Sequence, residues 1–218
     1  MRFTALIATL GLLSTASAQS LSIDPILNDD VECPAGSEIT FLHDYYMFNA
    51  PMKAFKDQVG SFFEIVWTGG VATDIATGPD NTPGSSRSGV YFGGRFNETL
   101  TMILDRPDSF SYTYHGVEFP VAIPGRPKVI FYKYAETMRV HSICGGRATY
   151  MDLVTSLCTD NPEHAYDLLH TYLHDLTFHQ LAANVNATAM YGDCLRDKPQ
   201  TVSVDSEAQT PLSVWGEP

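Results

Sequence analysis

The sequence predicts an α+β fold, in which a curved antiparallel β-sheet wraps around a long C-terminal helix with a hydrophobic cavity between them. Two observations support this prediction. Several strand-like segments follow one another through the middle of the chain, where paired glycines provide tight turns. One long segment with helical periodicity comes after them, and it must cover one face of the sheet.

The first elements are a strand and a short helix. Residues 39–48 are rich in aromatic and β-branched side chains and predict a strand, and residues 52–63, after Pro51, have apolar residues near helical spacing. Residues 69–89 are rich in Gly, Pro and Ser and predict an irregular loop. A loop of that length within a compact domain is more often functional than structural.

Two hairpins, two single strands and a final helix complete the domain. The predicted strands are residues 90–92 and 96–104 around Gly93-Gly94, residues 109–114, residues 129–134, and residues 138–144 and 147–157 around Gly145-Gly146. The helix is predicted over residues 162–185, with Pro162 in its first position behind Asn161.

The start of the chain predicts secretion, and the part between the two ends is expected to form a single domain. A basic Arg2, a short apolar stretch and Ala16-Ser17-Ala18 have the features of a secretory signal, and the apolar stretch is too short for the ~20 residues of a membrane span. We therefore expect the following division: a signal peptide at 1–18, an N-terminal extension at 19–37, the folded domain at 38–195 and a flexible tail at 196–218.

Charge and motifs exclude several classes of function. The 218 residues carry a formal charge of −12 without any Lys/Arg cluster, so nucleic acid is not an expected partner. There is no G-x-S-x-G, Walker or dinucleotide motif, which argues against the common hydrolases.

Secretion determines how cysteines, asparagines and histidines are interpreted. His170 and His174 have the spacing of zinc ligands, but there is no third ligand at a suitable spacing, so no metal site is predicted. Two sequons predict glycosylation at Asn97 and Asn186. In an oxidising compartment, four cysteines predict two disulfides: Cys33, Cys144, Cys158 and Cys194.

Three segments resemble the START-related helix-grip superfamily of lipid carriers and polyketide cyclases. They are Tyr46-Met47-Phe48-Asn49-Ala50-Pro51, residues 89–100 leading into Phe110-Ser111-Tyr112, and the final helix. The resemblance covers residues 38–185. It implies that the first strand pairs antiparallel with the last.

The proposed topology selects among the three possible cysteine pairings. Cys144 lies at the Gly145-Gly146 turn and Cys158 about 35 Å away along the strand, so these two cannot pair. The helix runs back toward that turn, which makes Cys144–Cys194 feasible. The strand pairing implied by the resemblance places Cys33 near Cys158, so Cys33–Cys158 is the expected second disulfide.

A glycan on Asn97 would fix which side chains of its strand face the cavity. Phe96, Glu98, Leu100 and Met102 then face inward. Across a Gly93-Gly94 turn, Arg87 lies opposite Leu100 and diagonal to Glu98, which predicts an interior ion pair. The alternative is that the inward and outward faces of the strand are exchanged, which would place both charges on the surface.

The expected lining of the cavity is mostly aromatic and aliphatic. On the helix, Asn186 would mark the outward face, so that most of the helix's histidines lie on the surface and His170 borders the inward residues. The side chains predicted to line the cavity are Trp67, Tyr91, Phe96, Leu100, Phe110, Tyr166, Leu169, His170 and Leu173. Trp67 either covers the cavity entrance or simply packs.

Four polar residues are candidates for catalysis. The alternation of Phe110, Tyr112 and Tyr114 places two phenols on one face, where they could stabilise charge on a ligand oxygen, and Arg87 and Glu98 complete the set. Core tyrosines bonded to nearby backbone are the alternative.

These features predict a secreted protein with a cavity for binding or cyclising a hydrophobic small molecule. Within the superfamily the chain resembles small secreted fungal cyclases, above all the hetero-Diels-Alderases that join a tropolone quinone methide to a humulene-type terpene. The resemblance implies a secreted cyclase that needs no cofactor. Three alternatives stay open. They are a noncatalytic carrier of lipid, sterol or pigment, a proton-transfer cyclase or isomerase with Glu98 as base, and an interaction protein with a filled core.

Overall fold

The computed structural model describes residues 31–194. The predicted signal peptide at 1–18 and the tail at 196–218 lie outside the described residues, as does most of the extension at 19–37, so these divisions stay predictions. The folded part begins with a strand at Glu38, where the domain was expected to start.

The predicted α+β architecture is confirmed. Seven antiparallel strands form one sheet in the order β1-β7-β6-β5-β4-β3-β2, so the first strand pairs with the last. The strands are β1 Glu38–Phe48, β2 Thr73–Thr77, β3 Ser86–Tyr91, β4 Gly94–Arg106, β5 Ser109–Val121, β6 Val129–Ile143 and β7 Ala148–Thr159.

Helical segments cover the inner face of this sheet. Helix α1 spans Met52–Val59. The long C-terminal helix consists of three consecutive segments: α2 Pro162–Asp167, a π-helical segment Leu168–Asp175, and α3 Leu176–Asn184. The Asn161 side chain accepts a hydrogen bond from the His164 backbone N–H and Pro162 follows it, which confirms the predicted start of the helix.

Helix α1 ends at Val59, four residues before the predicted end at residue 63. The backbone N–H groups of Phe62 and Phe63 donate to the side chains of Asn81 (2.9 Å) and Asp80 (3.1 Å) instead of continuing the helix. Those acceptors lie in the segment predicted as a loop over residues 69–89. That segment also contains β2 and the start of β3, so the prediction of one irregular loop is wrong.

The β3–β4 hairpin has a different turn from the one predicted. Tyr91 pairs with Gly94, so Phe92 and Gly93 form the two-residue turn, and both have positive φ (44° and 75°) as such turns require. The observed register differs from the predicted register by two residues. Because side chains alternate between the two faces of a strand, this shift keeps every side chain on its predicted face. Arg87 therefore lies directly opposite Glu98, not diagonal to it.

A β-bulge in β4 reverses one prediction. The register shifts between Leu100 and Met102, so that Ile103 lies opposite the core residue Tyr112 and Met102 opposite Thr113. Cross-strand partners share a face of the sheet. Met102 therefore faces away from the core, although simple alternation placed it inside.

Both predicted disulfides are present. Cys33 is bonded to Cys158, with Ile39 of β1 opposite Cys158 of β7, and Cys144 is bonded to Cys194. Disulfides of this kind are typical of extracellular proteins. Secretion itself stays a prediction. Within residues 31–194, no helix is both long enough and apolar enough to cross a membrane.

Candidate functional site

A cavity of about 60 Å³ lies between the inner face of the sheet and the C-terminal helix. Five polar side chains form one part of its wall: Arg87, Glu98, Tyr114, Tyr134 and Glu136. We call this cavity the charged chamber. Each of the five is at most 8% exposed. Tyr91, Phe96, Leu169 and Leu173 also line it, in agreement with where the sequence placed them.

Four other predicted residues are buried but lie away from the chamber wall. Leu100, Phe110 and Tyr112 belong to the closed core, where the Tyr112 ring meets the edges of Phe62 and Phe110. Burial raises the pKa of the Tyr112 hydroxyl, and the nearby Arg87 partly opposes that rise. Trp67 is also buried in the core. Its neighbours along the chain, Ile65 and Thr68, do line the chamber.

The helix places Leu169 and Leu173 on the cavity, but two other residues predicted there lie on the surface. Tyr166 is 47% exposed and stacks on His170, which is also exposed, so the prediction that both line the cavity is wrong. His174, which was not predicted to face inward, is fully buried. Tyr166 belongs to α2 and His174 to the π-helical segment, whose i→i+5 bonding departs from the constant α-helical rotation that the prediction assumed.

The first polar unit of the chamber is built around Arg87. Its Nε donates to Glu98 Oε2 at 2.7 Å, and another guanidinium nitrogen donates to the backbone carbonyl of Phe62. The guanidinium lies 4.2 Å from the Phe62 ring centre and 4.7 Å from that of Tyr114. The Tyr134 hydroxyl donates to the other Glu98 oxygen at 2.8 Å. Burial raises the pKa of Glu98, and the Arg87 charge and the Tyr134 hydrogen bond only partly oppose that rise.

The second polar unit is built around His174. Its Nε2 donates to Glu136 Oε2 at 3.3 Å and its Nδ1 donates to Asp44 at 2.7 Å. Glu136 also accepts from the Tyr114 hydroxyl and from Thr155 (2.9 Å). Burial alone would lower the pKa of His174, but hydrogen bonds to Asp44 and Glu136 outweigh it and raise the pKa to about 9. His174 is therefore a cation at neutral pH.

The three carboxylates of these polar units differ in the direction of their pKa shifts. Burial would raise the pKa of Glu136 as well, but the hydrogen bond and charge of His174 hold it below its ordinary value. The same holds for Asp44, which also accepts from His170 Nδ1 at 2.7 Å. Of these three carboxylates, Glu98 is the one whose pKa is raised above its ordinary value. A raised pKa suits a carboxylate that acts as a general base.

Sequence reasoning did not identify Tyr134, Glu136, His174 or Asp44. Tyr134 is the last residue of one predicted strand, and Glu136 lies in the gap before the next. In the structure both belong to one continuous strand, β6. Their alternation with Met138 and Val140 was the available signal. Nothing in the helical periodicity could reveal the inward turn of His174.

A separate polar cluster lies on the outer face of the sheet. Asp152 is fully buried and accepts from His43 Nε2 (2.8 Å), Arg139 Nε (2.8 Å) and the Tyr150 hydroxyl (3.1 Å). The ring of Tyr45 stacks on Tyr150 and is 59% exposed. Because Asp152 alternates with cavity-facing Leu153, this cluster does not touch the charged chamber.

Both predicted glycosylation sites are exposed to solvent. Asn97 lies on the outer face of β4, between the buried residues Phe96 and Glu98, and Asn186 follows the end of α3. Their exposure is compatible with a glycan, whose presence stays a prediction. Among residues 31–194, no group of His, Cys, Asp and Glu side chains could hold a metal ion.

Gly116 is a sensitive position beneath the first polar unit. A β-carbon there would overlap the ring of Tyr134, which lies opposite it in the sheet. We expect Gly116→Ala to displace Tyr134 from Glu98 and to lower the free energy of unfolding by about 1–3 kcal/mol, as overpacked cores do. Urea unfolding measures the loss. Tyr134→Phe removes the same hydrogen bond without the overlap, and an equal stability of wild type and Gly116→Ala would contradict the packing described.

The raised pKa of His174 predicts a pH-dependent contribution to stability. A group with a raised folded-state pKa stabilises fully below its unfolded value, here 6.5, and its contribution is lost as pH rises toward about 9. The full contribution is on the order of 3 kcal/mol. We expect the stability advantage of wild type over His174→Gln to shrink across this range in urea unfolding. The exposed His179→Gln is the control, and an advantage that does not vary with pH would contradict the account.

Comparisons with known proteins give the fold and nothing finer. No family model and no curated protein matches the chain. A solved structure of a protein from Nitrosospira multiformis is 16% identical with a TM-score of 0.51, covering 66% of this chain and 95% of that one. The fold and site together define a helix-grip protein with charged groups in its internal cavity.

Two further solved structures are more distant. Ara h 8.0201 is 13% identical with a TM-score of 0.47, covering 68% of this chain and 99% of that one. Norcoclaurine synthase from Thalictrum flavum, solved with dopamine and hydroxybenzaldehyde, is 12% identical with a TM-score of 0.44, covering 69% and 86%. Likenesses at this level add no argument about activity.

Proposed function

We propose that this protein is a cofactor-independent enzyme that moves a proton on a hydrophobic carbonyl compound, as in an isomerisation or a cyclisation. One observation carries the proposal. A cavity lined largely by apolar side chains encloses two carboxylates and a guanidinium, all nearly inaccessible to solvent and all on its wall. Charges in such a place are costly unless they are paired, and they act strongly on any ligand beside them.

Glu98 is the proposed base. It takes a proton from the carbon next to the carbonyl, the C–H electron pair moves into a C=C bond, and the carbonyl oxygen becomes an enolate oxygen. Arg87 stands on the wall as a donor for that oxygen, and the Tyr114 hydroxyl would join it by exchanging its hydrogen bond to Glu136. In an isomerisation the enolate is conjugated with a second C=C bond of the substrate, so the proton returns from Glu98 to the far carbon of that bond and the C=O bond forms again. In a cyclisation the enolate carbon attacks a second carbonyl carbon within the substrate, and the proton passes from Glu98 to the alkoxide oxygen that forms.

The test is uptake of solvent deuterium by a series of 2-alkanones, followed by mass spectrometry. We expect uptake with wild-type protein above the buffer rate, and a loss of at least about 100-fold in Glu98→Gln. Glu118→Gln is the matched control, because it makes the same change at an exposed glutamate that does not line the chamber. If Glu98→Gln folds poorly, Tyr134→Phe serves as the second variant. Tight retention of ketones without uptake would identify a carrier.

The hetero-Diels-Alder reaction is the second candidate. Arg87, or Tyr114 after release of its hydrogen bond to Glu136, would polarise a quinone-methide oxygen, and the cavity would hold diene and alkene in reacting orientation. The cavity of about 60 Å³ would have to open widely for two partners, since drug-sized ligands occupy about 300–1,000 Å³. No proton moves in this step, so Glu98→Gln is expected to change its rate only modestly.

A further inference from the structure

A second, apolar space adjoins the charged chamber. It measures about 30 Å³, and we call it the apolar chamber. Five residues line both spaces: Tyr91, Phe119, Phe131, Leu169 and Leu173. Three more line the apolar chamber alone: Phe92, Val121 and Leu168. The two spaces thus share a wall of aromatic and leucine side chains.

The walls of the two spaces differ sharply in chemistry. The charged chamber presents Arg87, Glu98 and Glu136, whereas no residue lining the apolar chamber is charged. Tyr91 is the one polar-tipped residue that lines the apolar chamber, and it belongs to both spaces. A ligand spanning both spaces would meet donors and carboxylates at one end and hydrocarbon at the other.

We propose that the substrate is elongated, with a carbonyl head in the charged chamber and an aliphatic arm that lies in the apolar chamber. This proposal rests on the proposed function for the identity of the head group. The arm contributes binding energy at a distance from the reacting carbon, and it fixes the carbonyl beside Arg87 and Glu98. Such remote contacts orient the reacting centre.

The β3–β4 turn forms the outer wall of the arm site. Phe92 is half-buried, packs on Tyr91 with ring centres 4.1 Å apart, and has a positive φ of 44°. Glycine tolerates that backbone conformation better than any other residue. Phe92→Gly therefore removes a wall of the apolar chamber without straining the turn. Phe92 does not itself line the charged chamber, which it contacts through Tyr91 alone.

The test is calorimetric binding of 2-alkanones from 2-butanone upward. We expect affinity to rise about fourfold per added CH₂ until the apolar chamber is filled, and then to level off. In Phe92→Gly we expect weaker binding of the long ketones, with 2-butanone unchanged. Leu168→Phe, whose added volume the apolar chamber can hold, should move the levelling point to shorter ketones and provides a second variant.

Two outcomes would overturn the proposal. One is an affinity that does not depend on chain length, and the other is an equal loss for all ketones in Phe92→Gly. These results are distinguishable from failure of the proposed function. Chain-length dependence without deuterium uptake keeps the arm site and removes the enzyme, whereas uptake without chain-length dependence does the reverse.

Discussion

Replacing Arg87 by Met is expected to lower the free energy of unfolding by about 3–5 kcal/mol. The substitution leaves Glu98 buried without its cation, and Glu98 is only 8% exposed. It also removes the hydrogen bond to the Phe62 carbonyl and the contacts of the guanidinium with two aromatic rings. Chemical denaturation measures the difference directly.

The hairpin that holds Arg87 also supplies a matched control. Arg95 pairs with Asp74 through two hydrogen bonds of 2.8 and 2.6 Å, but both side chains are exposed. We expect Arg95→Met to cost less than about 1 kcal/mol. Adding Glu98→Gln to Arg87→Met should recover part of the loss, because the unpaired charge is then gone. Equal costs for Arg87→Met and Arg95→Met would contradict the buried ion pair.

Loss of the Cys33–Cys158 disulfide is expected to cost about 5 kcal/mol, from the loop entropy of a sequence separation of 125 residues. This bond joins the segment before β1 to the end of β7, which β1 pairs with along its whole length. The variant replaces both cysteines with Ala, and urea unfolding under non-reducing conditions gives the loss of stability.

The second disulfide is the comparison for this prediction. Cys144 and Cys194 are separated by 50 residues, so the same reasoning predicts about 4 kcal/mol for their replacement with Ala. Cys158 is also fully buried, which adds to the cost of losing the first bond. A larger loss from the Cys144–Cys194 variant would show that chain entropy does not dominate.

Much of the architecture was predictable because its signals are local. Paired glycines mark the two hairpins, the Asn161-Pro162 pair marks the start of the C-terminal helix, and alternation in β4 correctly placed Phe96 and Glu98 inside. The ion pair of Arg87 with Glu98 followed from that phase. The predicted ion pair is present despite the wrong register, because a shift by an even number of residues leaves each side chain on the same face of the sheet.

The parts that could not be predicted depend on deviations from regular geometry. The bulge in β4 turned Met102 outward, and the buried His174 lies in the π-helical segment, where the regular α-helical rotation does not hold. Neither deviation changes the composition of the segment that contains it. Contacts between distant segments, such as His174 with Asp44 and Glu136, depend on that geometry and were therefore also missed.

The central claim is that the cavity between sheet and helix, and not the outer face, is where a ligand binds. Intermolecular nuclear Overhauser effects between a bound 2-alkanone and the labelled protein test it most directly. We expect contacts with Leu169, Leu173 and Phe131, which line both chambers. Contacts confined to Tyr45 and Tyr150 of the outer cluster would contradict the claim.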